Sequence, residues 1–331
     1  MSVVRPPTGE KFPSAAAAQP SPRRPGGLGG SGELGHMNAL AVTRHESAFG
    51  VWIQTQWAPG PDSPLGAAIE SIWHFDGTLS CARERVFPDG TLELIVQLDT
   101  PHRPGVDGPA DRFPPVCVTG LRTTAEVVEA PPGRCRVLGV RLRPPAAFRL
   151  LRAALAELTS LTVDLHAVLG GAAAELSSRV HGARDGSTAV RAAAAWAAQR
   201  VALGPVSDPM VQRALAAIVA DGGTRSIADL DAWQGRSRAR FAAAFRDRVG
   251  VTPKRFARIV RFNRALNAIA HGSAPLSEVA LAAGYYDQAH FTSEFRAHAG
   301  LTPSAYLRAT RYPGATSLVQ DAEQYFQDTA S

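Results

Sequence analysis

Two clusters of side chains suited to gripping a polyanion recur in this sequence at an offset of about fifty residues. The first comprises Ser237, Arg238, Arg240 and Arg246; the second comprises Gln288, His290, Thr292, Ser293 and Arg296. Guanidinium groups pair with phosphate oxygens, and a glutamine amide can take an adenine edge in a bidentate pair. Small hydroxyls bond to either phosphate or base. Arg246 and Arg296 occupy equivalent places and are the expected phosphate contacts. Gln288 ranks above His290 as a base reader, because His290 adjoins an inward phenylalanine and can pack sideways or touch phosphate. In the first cluster Ala239, Ala242 and Ala243 fill the outward face, and alanine can only touch a thymine methyl or fill space. Ser237, Arg238 and Arg240 can there hold phosphate or reach a single base.

The elements that must position these groups are legible as an internal repeat. Ile227–Leu230 matches Leu276–Val279, and Gly235 matches Gly284. Phe241, Phe245 and Arg246 match Phe291, Phe295 and Arg296, and Gly250-Val-Thr-Pro253 matches Gly300-Leu-Thr-Pro303. Each copy reads as helix, glycine turn, helix, glycine stop and a Thr-Pro helix start. Ser226 with Asp229 makes a capping-box-like beginning. The phenylalanine pairs at i,i+4 point inward, so residues 238, 239, 242, 243 and 246, and 288, 289, 292, 293 and 296, turn outward. This is helix-turn-helix architecture, twice. From Pro253 to about Ala270 a linking helix of roughly 27 Å can space two such units near the ~34 Å of successive major grooves. Its Arg255, Arg258, Arg261 and Arg264 add positive charge.

Charge distribution agrees. The chain carries 35 basic and 29 acidic residues, and all but Lys11 and Lys254 of the basic ones are arginine. Residues 224–312 carry a net +8, the preceding body 46–223 a net −2, and the end 313–331 a net −3. A basic module joined to a near-neutral body is an electrostatic footprint for nucleic acid or an anionic surface.

Ahead of that module, residues 1–45 are rich in Pro, Gly, Ala and Ser, bury little, and read as a disordered tail, with Met37 an alternative start. Residues 46–170 read as mixed α+β. Leu65, Ile69, Ile72 and Trp73 have helical spacing. Val86-Phe87, a Pro88-Asp89-Gly90 turn and Leu92–Leu98 read as two strands about a tight turn. Val116–Leu121 and Arg136–Leu142 are further strands, with Leu138, Val140 and Leu142 on one face and Arg141 and Arg143 read as solvated flanks. Pro144-Pro145 opens a helix at Ala146. Residues 171–223 read as a helical connector, with Asp208-Pro209 starting its last helix and Asp221-Gly222-Gly223 stopping it. Residues 313–331 form an acidic tail.

Catalytic signatures are missing. The sequence contains no G-x-x-x-x-G-K-[ST], no G-x-G-x-x-G after a strand, no H-E-x-x-H and no G-x-S-x-G. His74, Asp89, Glu93 and His102 fit no metal-ligand spacing, His74 reading as an edge residue and Asp89 as a turn residue. Cys81, Cys117 and Cys135 are odd in number and far apart, which argues against a disulfide framework; Cys117 and Cys135 read as small buried hydrophobes. No apolar run is long enough for a membrane span. These features indicate no cofactor, no metal, no membrane partner, no enzyme activity and a cytoplasmic location.

Residues 224–308 resemble the AraC/XylS family of transcriptional regulators. The resemblance is carried by Val279-Ala-Leu-Ala-Ala-Gly-Tyr-Tyr-Asp-Gln-Ala-His-Phe-Thr-Ser-Glu-Phe-Arg296 and by Gly300-Leu-Thr-Pro-Ser-Ala-Tyr306, and is weaker in the first copy. The region from about Trp57 to Gly170 resembles a domain of unknown function that often precedes such modules, through Ile72-Trp73, Phe87-Pro-Asp-Gly90, Leu92–Leu98, Thr119-Gly120, Gly139–Pro144 and Phe148. The first resemblance implies an all-α C-terminal domain of two helix-turn-helix units on a linker helix (224–312) that binds double-stranded DNA and regulates transcription initiation, with RNA polymerase as a further partner. The second implies that the α+β domain senses a small-molecule effector or forms a homodimer. The competing readings are a non-specific architectural DNA binder and an enzyme fused to a DNA-binding module.

Overall fold

A computed structural model describes residues 40–310, apart from 48–49, 61–62, 64, 80–82, 106–110, 206–207, 225–236 and 272–273. The described residues contain ten antiparallel strands: β1 (Ala41–Ser47), β2 (Gly50–Trp57), β3 (Ile69–Leu79), β4 (Arg83–Val86), β5 (Leu92–Gln97), β6 (Arg103–Pro104), β7 (Val116–Thr119), β8 (Glu126–Glu129), β9 (Arg134–Leu142) and β10 (Thr162–Asp164). Seven form one sheet in the order β1-β2-β3-β9-β5-β7-β10, and three form a smaller sheet, β4-β8-β6.

The large sheet has two unlike faces, set by period-two alternation. In β9, Leu138, Val140 and Leu142 are fully buried on one face and sit beside Leu94 and Leu92 of β5 and Ile72 of β3. Helix α1 (Pro144–Leu151) lies between β9 and β10, and α2 (Leu165–Leu169), α3 (Gly171–His181), α4 (Gly186–Ala202) and α5 (Pro209–Ala220) follow β10; their apolar residues, Leu150, Leu176 and Trp196 among them, join the same core. The opposite face carries Ser71, Trp73, Glu93, Gly139 and Arg141. Gly139 lies directly under the Trp73 indole, where an added Cβ would come within 2.3 Å of the ring.

The C-terminal region is helical: α6 (Arg238–Val249), α7 (Pro253–His271), α8 (Leu276–Ala282), α9 (Gln288–Ala299) and α10 (Pro303–Thr310). Phe241, Phe245, Phe256 and Ile259 belong to the same core as the sheet and its helices. Phe262, Phe291, Phe295 and Tyr306 form a second core, which also contains Phe87 from the segment between β4 and β5. The Phe87 ring meets Tyr306 edge-on at 5.9 Å and Phe262 at 6.3 Å. Beside it the Pro88 carbonyl accepts a 2.9 Å hydrogen bond from the Asn263 amide of α7.

Several sequence expectations need correction. Residues 65–73 are not a helix: Leu65–Ala68 form a turn, and β3 runs from Ile69 with β2 and β9 on either side. The ladder of β3 with β9 shifts register between Ile69 and Ser71, so Ile69 and Ile72 face the same core three residues apart, a spacing that imitates a helix. Val86 and Leu92 do not end a hairpin; β4 and β5 lie in different sheets, because Phe87–Gly90 leaves the strands to reach α7. Ala41–His45 of β1 lie within the segment read as a disordered tail, and the strand pairs along its length with β2; residues 1–39, Met37 included, lie outside the described residues. Arg141 is not solvated but 3% exposed. Arg143 does face solvent, pairing with Glu70 at 2.9 Å. His74 is buried beside Gly186 at the start of α4 rather than at an edge. Cys117 and Cys135 are buried, and burial pushes each thiol up to about 12, so they are inert as nucleophiles.

Phe87→Ala would remove a fully buried ring shared by two rings of the second core. Loss of roughly 3–5 kcal/mol is expected from such a truncation, measured as a fall in urea midpoint of the full chain at unchanged slope.

Candidate nucleic-acid interface and effector cavity

The second helix-turn-helix unit is α8 and α9. Gly284 makes the turn between them at φ +85°, a left-handed conformation glycine adopts without strain. Asp287 caps α9, its carboxylate accepting from the His290 amide at 2.7 Å. Phe291 and Phe295 are fully buried, as their spacing requires. Gln288, Ala289, Ser293 and Arg296 are exposed and Thr292 half-buried; together with Thr302 they line a shallow depression. The Thr292 hydroxyl donates to the Gln288 carbonyl at 2.8 Å, which leaves its oxygen as an acceptor.

His290 is not part of that face. Its Nε2 lies 3.1 Å from Glu294, and its ring meets Tyr285 edge-on at 5.4 Å. Glu294 is the hub: its side chain is 4% exposed and accepts from Arg258 Nε at 3.0 Å and from Arg261 Nη2 at 3.0 and 2.9 Å. Burial pushes this carboxyl upward, but the hydrogen bonds from Arg261 and Arg258 outweigh it and hold the group below the usual carboxylate range. Two of the four arginines counted as positive charge on the linking helix are thus spent on binding α7 to α9. Arg261 also lies over the Tyr285 ring, 4.9 Å from its centroid.

The opposite end of α9 is docked on β4 and on the connection between β7 and β8. His298 Nδ1 bonds to the Thr123 carbonyl at 2.9 Å, the Ala125 amide donates to the His298 carbonyl at 2.6 Å, and Arg85 donates to the Ala299 carbonyl at 3.1 Å. Burial lowers the His298 pKa, against the raising effect of that carbonyl, so the ring is neutral at pH 7 and serves as a hydrogen-bond donor.

In the first unit, the helix preceding α6 and its Ser226, Asp229 and Gly235 lie outside the described residues. Ser237 caps α6, accepting from the Arg240 amide at 3.4 Å. Arg238, Ala239, Arg240, Ala243 and Arg246 are exposed, Ala242 is half-buried, and Phe241 and Phe245 are buried. One exposed aromatic escaped the sequence reading. Tyr286 is 88% exposed just ahead of α9, whereas its neighbour Tyr285 is buried. Nothing in a Tyr-Tyr pair says which ring turns out; the glycine turn decides.

The polar face of the large sheet borders a cavity of about 660 Å³, with Glu84, Val86 and Val128 of the small sheet on its other side. Ser71, Trp73, Glu93, His102 and Arg141 line it. The Trp73 indole N–H donates to Glu93 at 2.7 Å, and Arg141 stands 3.6 Å from Glu93 and 3.8 Å from Asp89. Asp89 in turn accepts from the Thr91 amide and hydroxyl, both at 2.8 Å. It follows Pro88, which holds α7.

Residues 234–309 match the model of a helix-turn-helix domain, and residues 59–164 match that of a domain of unknown function, DUF6597. Among solved structures, the chain is similar to ToxT from Vibrio cholerae, at 13% identity over 72% of this chain and 98% of that one, with a TM-score of 0.41. It is also similar to the DNA-binding domain of AdpA, a global transcriptional factor, in complex with a target DNA, at 25% identity over 32% of this chain and 95% of that one, with a TM-score of 0.30. A third is the C-terminal domain of AraT, a response regulator from Geobacillus stearothermophilus, at 20% identity over 30% of this chain and 85% of that one, with a TM-score of 0.29. No curated protein sequence matches the chain. No helix among the described residues is long and apolar enough to cross a membrane.

Glu294→Gln removes the charge while keeping the shape. Uncompensating a buried pair of this kind costs about 3 kcal/mol or more. Because the folded-state pKa lies below the ordinary 4.5, the charged form's contribution is fully present above that pH and fades as pH falls through the folded-state value. Urea unfolding from pH 7 to 3 should therefore show a steeper acid loss in the wild type than in Glu294→Gln.

Proposed function

We propose that this chain is a transcription regulator of the AraC/XylS type that reads two successive major grooves of duplex DNA with α6 and α9, under control of the cavity-bearing α+β domain. The observation that carries the reading is the repeated burial of a phenylalanine pair on each helix, which leaves a polar or basic face outward on both. Gln288, Thr292 and Ser293 are the base-reading groups of α9, with Gln288 suited to a bidentate pair with adenine worth ~1–3 kcal/mol of discrimination. Arg296 and Arg246 hold phosphate, Tyr286 stacks on the adjoining backbone, and His290 positions Glu294 without reading DNA. On α6 the alanines leave Arg238 or Arg240 to supply one preferred guanine, so the first half-site is degenerate and the second sharp. Ser237 serves as the α6 cap and as a phosphate ligand.

The division into a tail (1–45), a sensor (46–170), a connector (171–223), a DNA-binding domain (224–312) and an acidic tail (313–331) is a functional one, except that Ala41–His45, as part of β1, belong with the sensor. The connector helices and α6 share the sheet's core, so the sensor acts as one body with them. An effector in the cavity would be felt at Arg141, whose partner Asp89 adjoins the carbonyl bound by Asn263 of α7. A second copy of the chain and RNA polymerase are the further partners of this reading.

The test is a selected binding motif for the full chain and its variants. Wild type should yield one informative and one degenerate half-site, and Gln288→Ala should lose information at one or two positions of the former. Affinity should fall steeply with salt, with a slope of log K on log salt near −4 to −7 for roughly four to eight neutralised phosphates. Arg296→Ala should reduce that slope by ~1 and weaken all sequences alike. Two equally informative half-sites, or an unchanged motif in Gln288→Ala, would show this division of labour to be wrong.

A further inference from the structure

We propose that a junction in the sensor, built from Thr123, Thr159 and Ser160, fixes α6 and α9 relative to each other, so that these three are positioning residues for the spacing between the two DNA half-sites. The inference rests on the two-groove reading and deepens it, placing part of the spacing rule in the sensor rather than in the DNA-binding domain alone.

Helix ends supply the physical reason. The last carbonyls of a helix have no partner within it and need donors from elsewhere. α6 and α9 both stop at a glycine, Gly250 and Gly300, which are equivalent positions of the repeat. At both ends the donors come from the sensor. The Thr159 hydroxyl donates to the Gly250 carbonyl at 2.6 Å. At α9 the Ala125 amide donates to the His298 carbonyl at 2.6 Å, and Arg85 donates to the Ala299 carbonyl at 3.1 Å. His298 Nδ1 returns a bond to the Thr123 carbonyl at 2.9 Å. The two copies of the repeat are thus held by the same end of the same helix.

These two docks are joined to each other. Thr159, which holds α6, precedes Ser160. The Ser160 amide donates to the Leu121 carbonyl at 3.0 Å, and its hydroxyl accepts from the Thr123 amide at 3.3 Å and lies 3.1 Å from the Thr123 hydroxyl. Thr123 in turn holds α9. Ser160 has φ +57°, a left-handed conformation shared by one other non-glycine among the described residues, Arg152. Such a backbone is uncommon for a residue with a side chain and persists where its surroundings over-determine it. Here the bonds on its amide and its hydroxyl do so, and both run to the segment that docks α9.

Placement gives the junction its leverage. The base-reading groups Arg238 and Gln288 stand at the first turn of helices 12 residues long, and the docks lie at the other end, about 18 Å away. α7 sets the distance between the units, and the docks add a fixed point at the far end of each reader. The same two chain segments border the effector cavity. Thr119 and Thr162, whose hydroxyls are 3.1 Å apart, line it with Arg122 and lead straight into the junction.

The test is binding of the full chain to duplexes that carry both half-sites of its selected motif, with the spacer at its optimum and one or two base pairs longer or shorter. Each base pair turns one half-site by about a tenth of a turn against the other. Wild type should lose ten-fold or more in affinity for a change of one base pair. Thr159→Val keeps the shape and loses the hydroxyl; Ser160→Gly accepts the same φ without strain and loses both the hydroxyl and the stiffness. Each should lose less than three-fold for that change, with affinity at the optimum lowered only a few-fold. Thr159→Ser keeps the hydroxyl and should restore the wild-type penalty. Should Thr159→Val or Ser160→Gly fail to fold, the other and Thr123→Val carry the comparison. Variants that keep the wild-type spacing penalty, variants that weaken every spacing by one common factor, or a Thr159→Ser that behaves as Thr159→Val would each overturn the proposal. A wild type indifferent to spacing would defeat the two-groove reading and this inference with it, whereas a selective wild type with equally selective variants would defeat this inference alone.

Discussion

The two-faced large sheet is the constraint from which the rest follows. A strand such as β9 that buries Leu138, Val140 and Leu142 on one side must find a helical layer to cover them, and α1 to α5 provide it. The same pleat forces Gly139 and Arg141 to the other side, where a dry interior would be costly for a guanidinium. The small sheet does not seal that side; it stands off, and the polar side chains border a cavity. The helices of the connector and the cavity are therefore two consequences of one alternation.

The helix-turn-helix units are held by unlike forces. The first is held by burial, with Phe241 and Phe245 in the core that underlies the sheet. The second is held by its own aromatic cluster, by a buried carboxylate and by three hydrogen bonds from β4 and the connection between β7 and β8. Glu294 ties α9 to α7 through Arg258 and Arg261, so the exposed face of α9 is aimed by an ionic pin whose carboxylate is buried. Ion pairs of this kind gain little net stability over apolar packing, but removing one partner is costly. Their value lies in fixing one rotation of the helix.

What was legible in the sequence was whatever repeats or alternates without ambiguity. The fifty-residue offset exposed both units, and the i,i+4 phenylalanines predicted which faces are buried; Gln288, Ser293 and Arg296 are exposed as that geometry requires. The strands β5, β7 and β9 were readable because one face of each is uniformly apolar. β3 was not, because the irregularity between Ile69 and Ser71 breaks its alternation and Ile69, Ile72 and Trp73 fit a helix equally well. Glu294 was hidden for a different reason. It lies between the two inward phenylalanines, and only the approach of a distant helix decides whether such a residue is solvated or becomes the partner of Arg258 and Arg261. Arg141 was misread likewise, since alternation places it on a face but cannot say that the face borders a cavity rather than water.

Phe87 has a bearing on how such chains can be assembled over evolutionary time. Regulators are readily imagined as a sensor and a reader joined by recombination at a linker. Here one aromatic ring is encoded in the sensor and lodged in the reader's core, with the Asn263 to Pro88 hydrogen bond alongside it. A recombination event near residue 223 would bring in a reader whose core is shaped for another ring, or for none, and leave either a void or a clash at Phe262 and Tyr306. Exchange of readers between related chains should therefore succeed only when position 87 travels with the reader or is already compatible with it, so that the two domains diverge as a pair.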